Sequence, residues 1–159
     1  MKKIYYSFLS VALLATTLSV QAAVVYVSPD GTGTGKAWNN ALSSVKSAVS
    51  NAQKGDTVYV AADVWNEQIV IKDGVSIKGG FDAATGKRDI EKNPTIIDGT
   101  GLETYILIKY DAACTTPTYI DGITFRNAQH AQSYGCGYLR KNVILQNCTV
   151  TACAGSKGG

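Results

Sequence analysis

Ser76-Ile77-Lys78-Gly79, Ile96-Ile97-Asp98-Gly99, Tyr119-Ile120-Asp121-Gly122 and Ile144-Leu145-Gln146-Asn147 are four versions of one phrase. Each places an aliphatic residue second, a polar residue third and a glycine or asparagine last. By subtraction of positions the steps are 20, 23 and 25 residues. Spacing of this order marks units that are single supersecondary elements and bury their apolar faces only against neighbouring units. The units are strand-like, so the reading is an all-β chain of stacked parallel strands with glycine or asparagine at the corners.

The last two units align without a gap over ten residues, Tyr119 to Ala128 over Ile144 to Cys153. Alternation puts Ile123 and Phe125 on one face, with Thr124 and Arg126 on the other. With stacked strands ~4.8 Å apart, Ile123 is expected to rest on Cys148 and Phe125 on Val150. Upstream, Val24-Val25-Tyr26-Val27, Thr57-Val58-Tyr59-Val60, Gln68 to Lys72 and Val75 to Lys78 also read as strands. The Asp73-Gly74 pair between the last two fits either a hairpin or a corner. The later repeats favour the corner. Phe81 to Pro94 is polar and charged without a period, an insertion carried on one corner.

One segment has helical spacing. Leu42, Val45, Ala48, Val49 and Ala52 form an apolar stripe, Asn39 or Asn40 is the expected cap, and Gly55 the stop. Gly31-x-Gly33-x-Gly35 precedes it, but the helix starts too late for a phosphate-binding loop.

Met1 to Ala22 reads as a signal peptide. Lys2 and Lys3 are followed by the apolar run Phe8 to Ala15 and the small-x-small triplet Val20-Gln21-Ala22, so the mature chain is expected to begin at Ala23. That run is too short to span a bilayer, which takes roughly 20 residues. The expectation is an exported protein, extracellular or at the cell surface, with the periplasm as the other compartment. Without the leader, 13 lysines and arginines face 12 acidic residues, and no basic run marks a nucleic-acid partner. Residues 23–159 suffice for one domain core.

Cys114, Cys136, Cys148 and Cys153 all lie in the last third. Export permits disulfides among them, with three pairings open. Their spacing and the single histidine, His130, argue against a zinc set.

Four stretches carry a resemblance to a family. They are Val25 to Gly31, Lys54-Gly55-Asp56-Thr57-Val58-Tyr59-Val60-Ala61, Ile71 to Phe81 and Pro94 to Gly99. Together they resemble the N-terminal part of secreted right-handed parallel β-helix proteins of the pectate-lyase-like superfamily. The Gly79-Gly80-Phe81 phrase and its charged loop look more like bacterial surface β-helix proteins, including polymorphic outer-membrane-protein-like ones. The resemblance implies the first few coils of a β-helix capped by one N-terminal α-helix, with further C-terminal coils to follow Gly159.

In the lyases of that superfamily, acidic side chains hold calcium and a basic residue accepts the proton. Asp98 and Asp121 take the same place in successive phrases, so they are the calcium candidates under a lyase reading. The favoured alternative is that each aspartate bonds its own turn before a glycine. Without a catalytic cluster to name, no cofactor is expected outside the lyase reading. His130 reads as a loop residue, and Arg126 as a solvated strand residue that can meet a glycan carboxylate. Exposed Trp38, Trp65 and Tyr59 are the aromatics available to stack on sugars. The leading functional expectation is a surface or secreted segment that contacts polysaccharide or surface glycans without catalysis. The alternative is the N-terminal part of a polysaccharide lyase or glycoside hydrolase whose catalytic residues lie in coils beyond this chain.

Overall fold

A computed structural model of the chain describes residues 21–102, 106–108, 113–131 and 135–156. Most of the leader therefore lies outside the described residues. The described chain is mostly strand, with one short α-helix and a 3-10 turn at Trp38–Asn40. In order the elements are β1 (Val24–Val27), α1 (Val45–Asn51), β2 (Thr57–Ala61), β3 (Asp63–Trp65), β4 (Ile69–Val70), β5 (Ser76–Phe81), β6 (Thr95–Asp98) and β7 (Leu107–Ile108). They continue as β8 (Thr118–Asp121), β9 (Ile123–Arg126), β10 (Gln129–His130), β11 (Gly137–Tyr138), β12 (Val143–Gln146), β13 (Thr149–Thr151) and β14 (Ala154–Gly155). No helix among the described residues is long and apolar enough to cross a membrane.

Every paired strand is parallel to its neighbour. The largest sheet has the order β1-β2-β5-β8-β12, a second runs β13-β9-β6-β3, a third β11-β7-β4, and β10 pairs with β14. From β8 onward the chain visits these sheets in turn and returns to the first at β12. The alignment of the last two units holds residue for residue: Tyr119 faces Ile144, Thr124 faces Thr149 and Phe125 faces Val150.

The earlier steps need correction. Ile77 pairs with Ile120, a step of 43 residues rather than 20 then 23, because the phrase at Ile96 to Gly99 lies in a different sheet, against β9. The phrase recurs there because a similar corner needs it. A Cβ on Gly99 would lie 2.7 Å from the Ala128 Cα, and one on Gly79 would lie 2.5 Å from the Gly122 carbonyl oxygen. Crowding of this kind selects glycine at both places.

Asp73-Gly74 is a corner. β4 and β5 belong to separate sheets, and Gly74 has φ +71° with a Val75 N–H to Lys72 carbonyl bond of 3.1 Å. The helix is shorter than its apolar stripe predicts. Leu42 is tied to β1 instead, its N–H to the Tyr26 carbonyl and its carbonyl to the Ser28 N–H, both at 2.9 Å. Ser44 caps α1, its hydroxyl accepting from the Ser47 N–H at 3.1 Å. Glu67, from beyond β3, accepts from the Lys46 N–H and the Ser44 hydroxyl, each at 2.8 Å. An anion there satisfies amides that the helix leaves open and suits the dipole. Val45, Ala48, Val49 and Ala52 are buried against the strands, whose inward residues include Val58, Ile77, Ile97, Ile120 and Phe125. Asp56, itself buried, accepts from the Ala23 N–H at 2.8 Å and the Gln53 N–H at 2.7 Å, which pins the start of β1 beside β2.

Candidate functional site

Two side-chain groups stand out: the aspartate corners and an aromatic cluster. Asp98 and Asp121 do not stack. Asp98 ends β6 beside Arg126, whereas Asp121 ends β8 between Lys78 and Gln146 in another sheet. The stacking that made the two aspartates calcium candidates under a lyase reading is not formed, since the two phrases occupy different sheets.

Each aspartate instead closes a corner. The Asp98 carboxylate accepts from the Thr100 N–H at 2.9 Å and its hydroxyl at 2.5 Å, from Arg126 Nε at 2.6 Å, and from the Asn127 amide at 3.1 Å. Asp121 meets Arg88 at 2.9 Å and the Asn147 amide at 2.8 Å. Both carboxylates are buried. A calcium ion needs 6–8 converging oxygens at about 2.3–2.6 Å. Here each carboxylate is matched by a guanidinium, which such an ion would have to displace, so this donor set does not fit calcium. Arg126 is committed to Asp98 rather than solvated alone, and its side chain stays 37% exposed. His130 lies in β10 rather than in a loop, half-buried beside Gly155.

Arg88 is the residue that sequence reading missed. It sits in the charged insertion, yet its Nε donates to the Gly79 carbonyl at 2.8 Å while its terminal nitrogen reaches Asp121. Its guanidinium also lies 5.8 Å from the Phe81 ring centroid. A polar loop without periodicity carries no sequence signal for such a long-range anchor.

The Thr100 hydroxyl and N–H, then Arg126, hold the Asp98 carboxyl well below the usual carboxylate range. Asp73 is held at about 2 by the Thr115 hydroxyl, the Thr116 N–H and Lys54. A folded pKa below the unfolded value of about 3.9 stabilises the fold at higher pH and loses that contribution as pH falls through the folded pKa. Thermal stability is expected to be flat above about pH 5 and to fall between about pH 4 and pH 2. Asp98→Asn is expected to flatten part of that fall. A melting-temperature series over this range checks it, and an unchanged slope in the variant would refute the assignment.

The aromatic cluster forms on the largest sheet. β1 and β2 pair Tyr26 with Tyr59, whose rings meet edge-on at 5.8 Å. Tyr59 stacks on Phe81 at 4.4 Å, and Trp38 closes the ring with Tyr26 at 5.0 Å and Phe81 at 5.5 Å. Tyr26, Trp38 and Tyr59 are half-buried, while Phe81 is buried at its base. Of the expected sugar-facing aromatics, Trp65 is instead in the core, its indole N–H donating to the Ala61 carbonyl at 3.3 Å. Its position on β3 alternates inward, whereas Tyr59 on β2 alternates outward.

A cavity of about 440 Å³ lies at the Asp98 corner, lined by Thr100, Leu102, Asn127, Gln129 and Ala152 among others. Its groups are amides, a hydroxyl and apolar surface, the chemistry of hydrogen bonding to a neutral polar ligand. No protein-family model, no curated protein and no solved structure matches this chain.

Proposed function

We propose that this chain is an exported segment of a right-handed parallel β-helix of the pectate-lyase-like kind, which contacts glycans through its lateral surface without chemistry of its own there. The single observation that carries the binding reading is the cluster of Tyr26, Trp38, Tyr59 and Phe81, with three half-exposed rings on the outer face of parallel strands. Rings of this kind offer apolar faces to the C–H surfaces of sugars and polar tips to their hydroxyls. Return of the chain to the same sheet after each round of strands, and an amphipathic helix packed at β1, support the β-helix reading. The charged N-terminal start followed by a short apolar run supports export. Arg126 and Arg88 are paired with aspartates at the corners and act in this reading as structural ties.

Affinity electrophoresis through gels containing neutral or acidic polysaccharides tests the proposal. The protein is expected to be retarded by at least one polysaccharide, and Trp38→Ala to weaken that retardation by about tenfold in Kd, the equivalent of about 1.4 kcal/mol. Circular dichroism establishes that the variant remains folded. Equal retardation of variant and parent would remove the aromatic site. Release of unsaturated products from acidic polysaccharide by this chain would replace the binding reading with the lyase one.

A further inference from the structure

The fold separates the four cysteines into unlike surroundings. Cys114 is buried, only 2% exposed, at the entrance to β8. Cys148 donates to the carbonyls of Gln146 at 3.1 Å and Ile120 at 3.3 Å, inside the turn between β12 and β13. Cys136 and Cys153 meet. The Ala154 N–H bonds the Ala128 carbonyl at 2.9 Å, which places Cys153 over the β9–β10 corner. A Cβ on Gly135 would lie 2.9 Å from both the nitrogen and the carbonyl carbon of Ala154, so the backbone just before Cys136 runs against the backbone just after Cys153. Both cysteines are partly buried and pack against the core, and the Cys153 Sγ donates to the Thr151 carbonyl at 3.4 Å.

We propose that Cys136 and Cys153 form the disulfide of this protein, leaving Cys114 and Cys148 as thiols. Of the three pairings the sequence leaves open, this one joins cysteines whose adjacent residues, Gly135 and Ala154, run against each other, and close backbone approach is what a disulfide needs. The bond ties the start of β14 to the segment between β10 and β11, so it holds the last described round of strands to the round before it. The oxidant is a low-molecular-weight disulfide or the disulfide of an exchange protein. One cysteine thiolate attacks a sulfur of that disulfide and forms a mixed disulfide, expelling the other sulfur as a thiolate. The second cysteine, deprotonated, then attacks the mixed disulfide at the protein's sulfur and expels the remaining half of the oxidant. Two protein thiols become one disulfide, and one oxidant disulfide becomes two thiols. Burial pushes the Cys136 thiol up.

The bond's presence in cells rests on the export reading, but the pairing is testable apart from it. Purified protein is equilibrated with oxidised and reduced glutathione, denatured, alkylated and digested with trypsin. Cleavage leaves Cys136 in residues 127–140 and both Cys148 and Cys153 in residues 142–157. The expected result is a link between these two peptides that persists in Cys148→Ser and disappears in both Cys136→Ser and Cys153→Ser. Reduction is then expected to lower the melting temperature of the parent and not that of Cys136→Ser. Retention of the link in Cys153→Ser, a link through Cys114, or four alkylated thiols would overturn the proposal. A link formed in glutathione but missing from material isolated from cells would uphold the pairing and refute export.

Discussion

Phe125→Ala is expected to cost about 3–5 kcal/mol, the range for removing a buried aromatic side chain from a core. Phe125 is fully buried and among the largest side chains in the interior. It sits in β9 between Ile97 of β6 and Val150 of β13, so it is clamped by parallel neighbours on both sides. Truncation removes its own burial and leaves a cavity that hydrogen-bonded strands on either side cannot collapse to fill. Val150→Ala is the matched control. It pairs directly with Phe125 yet is 52% exposed on the outermost strand of its sheet. Surface truncations of this kind usually stay within about 0.5 kcal/mol. Urea denaturation of the three proteins measures the difference. Equal losses in the two variants would show that Phe125 is not the interior residue that its burial indicates.

That pair also shows where sequence reading succeeds. The step of 25 residues from Tyr119 to Ile144 was legible because both units lack insertions, so alternation alone set register and inward faces. The same logic misled at Ile96 to Gly99. Its wording matches Ser76 to Gly79 because both end at a crowded corner, but crowding carries no label for which sheet the corner serves. The charged insertion after Phe81 lengthens the true step to 43 residues and hides it. The consequence for the site was direct, since Asp98 and Asp121 looked equivalent and are not. Their partners were beyond reach for a related reason. Arg88 meets Asp121 from 33 positions away, and Glu67 reaches the start of α1 from 21 to 23 away. Such contacts follow from how loops fold back, and loops have no periodicity to read. The aromatic cluster was half legible: Trp38 and Tyr59 read as exposed aromatics, whereas Tyr26 and Phe81 join them only through the pairing of β1 and β5 with β2.

Gly79→Ala is expected to destabilise the protein by about 3 kcal/mol, at the upper end of what overpacking a well-filled site costs. The added methyl would lie 2.5 Å from the Gly122 carbonyl oxygen, 2.7 Å from the Thr95 Cβ and 2.9 Å from its hydroxyl. None of these can retreat cheaply. Thr95 is buried, and its hydroxyl accepts the Gly80 N–H at 2.9 Å, so rotating it away would orphan a buried donor. Gly122 is fixed at φ +73° with its N–H bonded to the Gln146 carbonyl at 3.0 Å. Relief therefore requires β5 and β8 to separate, which breaks the contact that Arg88 spans between Gly79 and Asp121. Gly101→Ala separates crowding from backbone strain. Gly101 has φ +76°, but nothing lies within 4 Å of the position its Cβ would take. Its loss should be the left-handed penalty alone, about 1–2 kcal/mol. Chemical denaturation of both variants tests the distinction, with Gly79→Ala expected to lose clearly more. A Gly79 loss no greater than that at Gly101 would mean that the strands part easily there, and that the corner phrase is chosen for backbone freedom and not for close approach.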